Sequence, residues 1–460
     1  MDEVSGLPIL HFLFIINSSF LIHNSSLKKM FKQYFQQAWA QLRQQPLISA
    51  VTVAGTALSI FLIMLVVMMQ QVKVEPFSPE SNRDRFLHVK WSTITKTEWG
   101  EGNTSNGPMS VRTAREVYGR MTTPEAVTAY TAFAESRPVN MPGQPAISVD
   151  VRETDYQFWT VFDFAFVDGK PYDQATFDAG LPVAVMTESV ARHLFGTTQA
   201  TGKEFLLAHA PYRVIGVVKD VSTLAETAYG QLWIPYTSTD QANNTWEADL
   251  MGIMSCTILA RDRSDFPAIR EEANRRLDEF NKVIGENGYK FITRNRPYDQ
   301  EKNMLATGAN WEPDVSAARR SRLIIYLILL IVPAINLSSM TQSRLRRRVS
   351  EIGVRRAFGC TRMELLGQIL TENFIVTLLA GILGLLLSFL FASLGSDILF
   401  AQLYSMTLNP PTVNASILIH ASTFGWALLF CFVLNLLSTG IPAWRASRMK
   451  IVEAINGKTH

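Results

Sequence analysis

Arg344-Leu-Arg-Arg-Arg-Val-Ser-Glu-Ile-Gly-Val-Arg-Arg-Ala-Phe-Gly-Cys-Thr-Arg362 is the stretch on which the architecture turns. It carries Arg344, Arg346, Arg347, Arg348, Arg355, Arg356 and Arg362, between an uncharged apolar run ending near Ser343 and another beginning near Asn373. A charged side chain at the bilayer centre costs roughly 2.5–3.5 kcal/mol on insertion scales, so such a loop lies outside the hydrocarbon. Excess Lys and Arg mark cytoplasmic loops, which places this one inside.

Working outward, a window of about 20 residues gives four apolar spans. They centre on 47–69, 323–343, 373–394 and 415–441, and no Lys, Arg, Asp or Glu occurs between Gln44 and Val72. A soluble core helix of that length would show a charged face, so membrane insertion is expected. The flanks agree: Lys28, Lys29, Lys32 and Arg43 precede the first span, and Arg445, Arg448, Lys450 and Lys458 follow the fourth. The link at 395–414 has only Asp397. Arg319, Arg320 and Arg322 run against this bias, flanking the second span on the side assigned external.

The expected division is 1–29, a misassigned start or disordered extension; 30–45, an amphipathic interfacial helix; and 46–71, the first span. An extracytoplasmic domain fills 72–320, and the second span is 321–343. The cytoplasmic loop covers 344–366, the third span 367–395, a short external loop 396–414, the fourth span 415–441 and a cytoplasmic tail 442–460. The interfacial helix rests on Phe31, Tyr34, Phe35, Ala38, Trp39 and Leu42, which form one apolar stripe. An extra span within 1–29 is the alternative reading.

The 72–320 segment alternates strand-like and helix-like pieces. Residues 181–186, 212–219 and 231–236 read as strands, 187–194 as a helix stopped by Gly196, 266–280 as an amphipathic helix, and 102–108 as a loop. The fold class expected is an α-helical membrane protein of four transmembrane helices with an α+β domain inserted between the first two. Cys256 is the only cysteine of the domain, so an internal disulfide is excluded.

The basic loop is well punctuated. Val349, Ile352, Ala357 and Phe358 make a short apolar face, Gly359 stops a helix, and Thr361 stands three residues before Glu364 as in a capping box. Topology alone needs neither a hydrophobic face nor a cap. Within the spans, Gly55, Thr56, Ser59, Asn336, Ser338, Ser339, Gly381, Gly384 and Asn435 suit helix packing, and Pro333 would kink the second span. The four apolar spans hold no Asp, Glu, Lys or Arg, which argues against an ion-coupled carrier.

Chemistry is sparse. The chain has seven histidines without metal-ligand spacing, and no nucleophile elbow. Gly457-Lys458-Thr459 imitates the end of a phosphate-binding loop, but Val452 replaces its first glycine. No catalytic site, cofactor site or metal site is expected. The net charge of +3 is accounted for by the inner loops, and nucleic-acid binding is rejected.

Arg348 to Arg362 closely resembles the cytoplasmic signature of the FtsX/MacB-type ABC transporter permeases, R-x-x-E-I-G-I-R-R-A-x-G-A-x-R. Pro442-Ala-Trp-Arg-Ala-Ser-Arg448 with Val452-Glu-Ala-Ile455 is similar to the closing motif, with Ile451 at a usual proline. Phe158-Trp-Thr-Val-Phe162, Gly169, the 184–196 stretch and Ile215-Gly-Val-Val-Lys-Asp220 look like the MacB-type periplasmic core domain. The resemblance implies an inner-membrane permease subunit of export or efflux. A separate ABC ATPase would bind ATP and Mg. A second copy or related permease would complete the complex, in some systems with a periplasmic adaptor and an outer-membrane duct. It assigns ATPase coupling to Glu351, Ile352, Gly353, Arg355, Arg356, Gly359 and Arg362. The mechanism implied is mechanotransmission, in which ATP binding moves the external domain. The alternatives are an FtsX-like regulator of a cell-wall hydrolase and a membrane-anchored receptor without transport.

Overall fold

The computed structural model describes residues 46–394 and 421–448. The expected elements at 1–29, 30–45 and 396–414, the start of the fourth span, and the tail from 449 lie outside the described residues. Two compact units divide the rest: one holds 46–68, 321–391 and 421–448, the other 69–320 and 392–394. The helix α1 (Pro46–Val74) therefore contributes its last turn to the second unit.

The second unit is α+β. Strands β1 (Phe86–Val89), β2 (Ser92–Lys96), β3 (Ser105–Gly107), β4 (Ala126–Thr131), β5 (Glu135–Asn140), β6 (Ile147–Thr154) and β7 (Phe166–Gly169) come first. β8 (Val183–Thr187), helix α2 (Glu188–Phe195), β9 (Glu204–Leu207), β10 (Ala210–Val218), β11 (Leu232–Pro235) and β12 (Met254–Leu259) follow. Helix α3 (Phe266–Gly285), β13 (Tyr289–Phe291), β14 (Tyr298–Asp299) and helix α4 (Gln300–Leu305) complete it. The strands expected at 181–186, 212–219 and 231–236 are β8, β10 and β11. Gly196 stops α2 in the left-handed conformation, donating its N–H to Arg192 O. β-branched and aromatic residues are frequent in these strands because a pleated, two-sided surface suits them.

One sheet runs β11-β8-β10-β9-β5-β6-β4-β12-β1-β14, and β11 also pairs with β6 in parallel. The extra pairing closes β5, β6, β11, β8, β10 and β9 into a ring. Val139, Val151, Met186, Phe205, Val214 and Ile234 are buried in its core. Gly169 belongs where it is: at φ +68 a Cβ there would lie 2.1 Å from Ile215 O. The remaining antiparallel strands carry α3, whose Ile269, Ala273, Leu277, Phe280 and Ile284 pack with Leu87, Met254 and Ile258. That helix runs past the expected end at 280 to Gly285. The loop expected at 102–108 contains β3, paired to β2. Its Ser-Asn-Gly lacks strand propensity, and the pairing with β2 supplies what the residues do not.

The first unit is helical. α5 (Val315–Arg347) covers the expected second span and continues into the basic loop. Then come α6 (Val349–Ala357), α7 (Arg362–Leu394) and α8 (Ala421–Arg448). Among the described residues, Val53–Val74, Arg362–Leu394 and Gly425–Arg448 are long and apolar enough to cross a membrane. Ile60, Ile63 and Met64 of α1 pack with Leu330 of α5 and with Cys431 and Leu434 of α8. Leu323, Ile324, Ile328, Ile331 and Ile335 stay exposed on α5, a stripe suited to acyl chains. A Cβ at Gly384 would lie 2.7 Å from Ala57 O, and one at Gly381 would lie 2.5 Å from Cys431 Sγ. Asn435 Nδ2 donates to Leu370 O across two helices. These residues serve close packing as expected. At Gly55 a Cβ would meet nothing, and Ser59 Oγ bonds back to Gly55 O within its own helix.

Candidate functional site

α6 is built as a short, hard-stopped lever. Phe358 N donates to Val354 O, Gly359 N to Arg356 O and Cys360 N to Arg355 O, and Gly359 sits at φ +98. That pattern is a Schellman motif; only the backbone angle demands glycine here, because a Cβ would have open space. The next helix opens with the capping box: Thr361 N donates to Glu364 Oε2 at 2.9 Å and Glu364 N to Thr361 Oγ1 at 3.2 Å. Helix, turn and re-entering helix stand as expected, α6 spanning Val349–Ala357.

The apolar face expected as one surface is two. Val349, Ile352 and Gly353 turn inward. Ile352 packs with Leu345 of α5, Leu365 and Ile369 of α7, and Ala443 and Ala446 of α8. Opposite lie Val354 (45% exposed) and Phe358 (89%), and Met363 in the first turn of α7 is 74% exposed. Helical geometry explains the split: 349, 352, 353 and 356 share one side, 354, 357 and 358 the other.

Polar residues lock the inner side. Arg348 Nη1 donates to Glu372 Oε2 at 3.0 Å, and its Nε to Glu351 Oε2 at 3.0 Å. Arg355 Nη2 donates to Glu351 Oε1 at 2.6 Å, and its Nη1 to Gln368 Oε1 at 3.0 Å. Gln368 Nε2 donates to Glu372 Oε1 at 2.8 Å. Arg356 Nη1 reaches Ser447 O of α8 at 3.0 Å. The guanidinium of Arg348 holds the Glu351 carboxyl below its usual range. Arg362 is exposed. Of the residues singled out in the sequence, Glu351, Arg355 and Arg356 thus face partners within the chain, and Ile352 and Gly353 are buried. Glu372, Gln368 and Ser447 escaped sequence reasoning; the one available signal was Glu372, an acid at the edge of an apolar run.

α6 is thus tied to α5, α7 and α8 at once. Among the described residues no group of His, Cys, Asp or Glu could hold a metal ion.

Comparison with known proteins gives two family matches, a MacB-like periplasmic core domain over residues 49–276 and an FtsX-like permease C-terminal domain over 323–451. The macrolide export ATP-binding/permease protein MacB of Burkholderia cenocepacia is 28% identical over 300 residues, 63% of this chain and 38% of that protein. The pyoverdine export ATP-binding/permease protein PvdT of Pseudomonas entomophila is 22% identical over 311 residues, 65% of this chain and 42% of that one. The chain thus spans less than half the length of either relative. The periplasmic region of MacB from Actinobacillus actinomycetemcomitans aligns with 44% of this chain and 88% of its own at 18% identity, TM-score 0.30.

Proposed function

We propose a function from one premise: the chain belongs to the FtsX/MacB-type ABC transporter permeases. On this reading it is a multi-pass inner-membrane subunit that serves export, coupling ATP binding by a partner ABC ATPase to motion of its extracytoplasmic domain. ATP and Mg sit on that partner. Four crossings put both termini and the 344–366 loop in the cytoplasm, with the domain inserted between the first two. A second copy or related permease completes the assembly, and an adaptor with an outer-membrane duct extends it where two membranes must be crossed. The two relatives' names give different cargoes, so cargo class does not transfer. The core-domain match favours export over control of a cell-wall enzyme.

The observation that carries this reading is α6, locked inward to three helices while Val354 and Phe358, and Met363 in the first turn of α7, are exposed. An aromatic residue as exposed as Phe358 is among the described residues matches the composition of an interface centre. Arg362 gives the patch a basic rim. The ATPase seats on this apolar triad, and the arginine–glutamate lattice beneath keeps the seat stiff.

Co-expression of the full chain with the ABC ATPases of its source organism tests this. The wild type is expected to retain one of them through detergent purification, with ATP hydrolysis in the eluate, and Phe358→Asp with Met363→Asp to lose it. Equal retention by the variant ends the proposal. Sidedness is checked with native Cys360, which is partly accessible while Cys256 and Cys431 are buried. An impermeant maleimide should label it in inverted vesicles and spare it in cells with a permeabilised outer envelope.

A further inference from the structure

The last turn of α1 is sewn into the α+β unit by a buried arginine. Arg83 and Glu80 have side chains only 1% exposed, with Arg83 Nε to Glu80 Oε2 at 2.7 Å. Arg83 Nη1 donates to Val72 O at 2.7 Å and to Glu75 O at 3.1 Å. Its Nη2 donates to Leu224 O at 2.8 Å, 141 positions away. Glu80 Oε1 accepts from Thr227 N and Ala228 N, both at 2.9 Å. The Phe77 ring lies 4.2 Å from the guanidinium. A second stitch comes from α4: Gln300 Nε2 donates to Lys73 O at 2.9 Å, and Gln300 Oε1 faces His88 Nε2 at 2.8 Å.

Three carbonyls at a helix C-terminus have no partner within the helix and carry its negative end. Water would satisfy them equally well and leave the end free to swivel. Here a rigid planar cation and a side-chain amide take them instead, and both are fixed from elsewhere in the domain. A fork-shaped guanidinium with four protein acceptors admits one orientation. Nothing in helix capping requires such depth of burial.

We propose that the Arg83–Glu80 pair, with Gln300, is a torque joint that makes the end of α1 part of the domain, so that rotation of the helix is delivered to the domain undiminished. This rests on the coupling reading above and names the residues that position the moving part. Arg83 is a positioning residue; it touches neither nucleotide nor cargo.

The test uses the full chain in nanodiscs, spin-labelled at Val74 and Val167 in a Cys360→Ser background. Wild type should give a narrow distance distribution. Arg83→Met and the charge-free pair Glu80→Gln with Arg83→Met should broaden it, while near-ultraviolet circular dichroism shows the domain still folded. Gln300→Met, which removes one stitch, should broaden it less. With the partner ATPase bound, labels at Leu58 and Val167 report coupling. ATP with vanadate should shift that distribution in wild type and not in the Arg83 variants, whose hydrolysis rate stays within about twofold because coupling residues trade binding free energy without touching chemistry. A distribution that stays narrow in every variant overturns the joint, as does one that broadens yet still shifts with nucleotide. Absence of any nucleotide-dependent shift in wild type would instead sink the coupling reading, while the Val74–Val167 widths still decide whether the joint is stiff.

Discussion

Two arginine–glutamate pairs do similar chemistry in opposite surroundings. Arg83 and Glu80 are each 1% exposed and sealed beneath the domain surface. Arg348 is 29% exposed, and the Glu372 it reaches is 3% exposed. A sealed pair has lost its hydration and holds one geometry; a half-open one can exchange its bonds with water or a neighbour. The comparison separates a desolvated pair from a part-hydrated one: Arg83 and Glu80 hold the domain end of α1 away from water, whereas Arg348 ties the base of α6 while still meeting solvent.

Breaking the sealed pair should have the largest effect. Arg83→Ala strands a buried carboxylate and is expected to cost about 3–5 kcal/mol, read from denaturant unfolding of the full chain in detergent. A cost no larger than that of Arg348→Ala would erase the contrast.

Next in size is a pH effect beside the anchor. Burial, the largest influence, lowers the His88 pKa to about 4, with Arg83 and Lys90 nearby adding to the shift and the Gln300 bond opposing it. The folded chain therefore binds fewer protons than the unfolded one, whose histidine titrates near the ordinary 6.5. The His88 contribution is whole above that value and drains away as pH falls toward 4. Between pH 7 and pH 5 the loss is about 2 kcal/mol. Asp155, raised to about 6 by burial, acts in the opposite sense. The comparison to make is wild type against His88→Gln: their stability gap should shift by that amount in favour of the variant on acidification. Parallel curves would show that His88 does not titrate as described.

Smaller again is Arg348→Ala, at about 1–2 kcal/mol, because Glu372 keeps Gln368 as a donor. Smallest is Phe358→Asp. A side chain 89% exposed among the described residues should change stability by less than about 0.5 kcal/mol when replaced, even as ATPase retention is lost. A large destabilisation there would place Phe358 in the core and remove it from the interface.

What was legible in the sequence was local or periodic. Gly359, Thr361 and Glu364 act within a few residues of one another, so the stop and the cap could be read directly. Residues of α3 repeat every three or four positions, and the core strands β8, β10 and β11 are rich in apolar residues, many of them β-branched or aromatic. The arginine-rich loop was found by charge alone, but its division into an inner lock and an outer knob needed the positions of Glu372, Gln368 and Ser447. Arg83 and Glu80 looked like any polar residues after a span, since Arg83's partner at 224 and Glu80's at 227 and 228 are remote in sequence. The parallel pairing of β11 with β6 was invisible for the same reason, as strand propensity says nothing of which strand lies alongside. Arg319, dissonant as a topology signal, donates to Glu301 at 3.1 Å, so its charge is matched within the domain.

The ring closed by β6 and β11 bears on how such a domain survives its work. An open sheet pulled at an outer strand unzips one hydrogen bond at a time, each rupture easing the next. Within the six-stranded ring no member is a loose edge, so opening it must shear a ladder rather than peel a strand, although the sheet beyond it still ends on β14. On the coupling reading proposed above, a domain moved in every cycle is thereby protected from fraying along that ring.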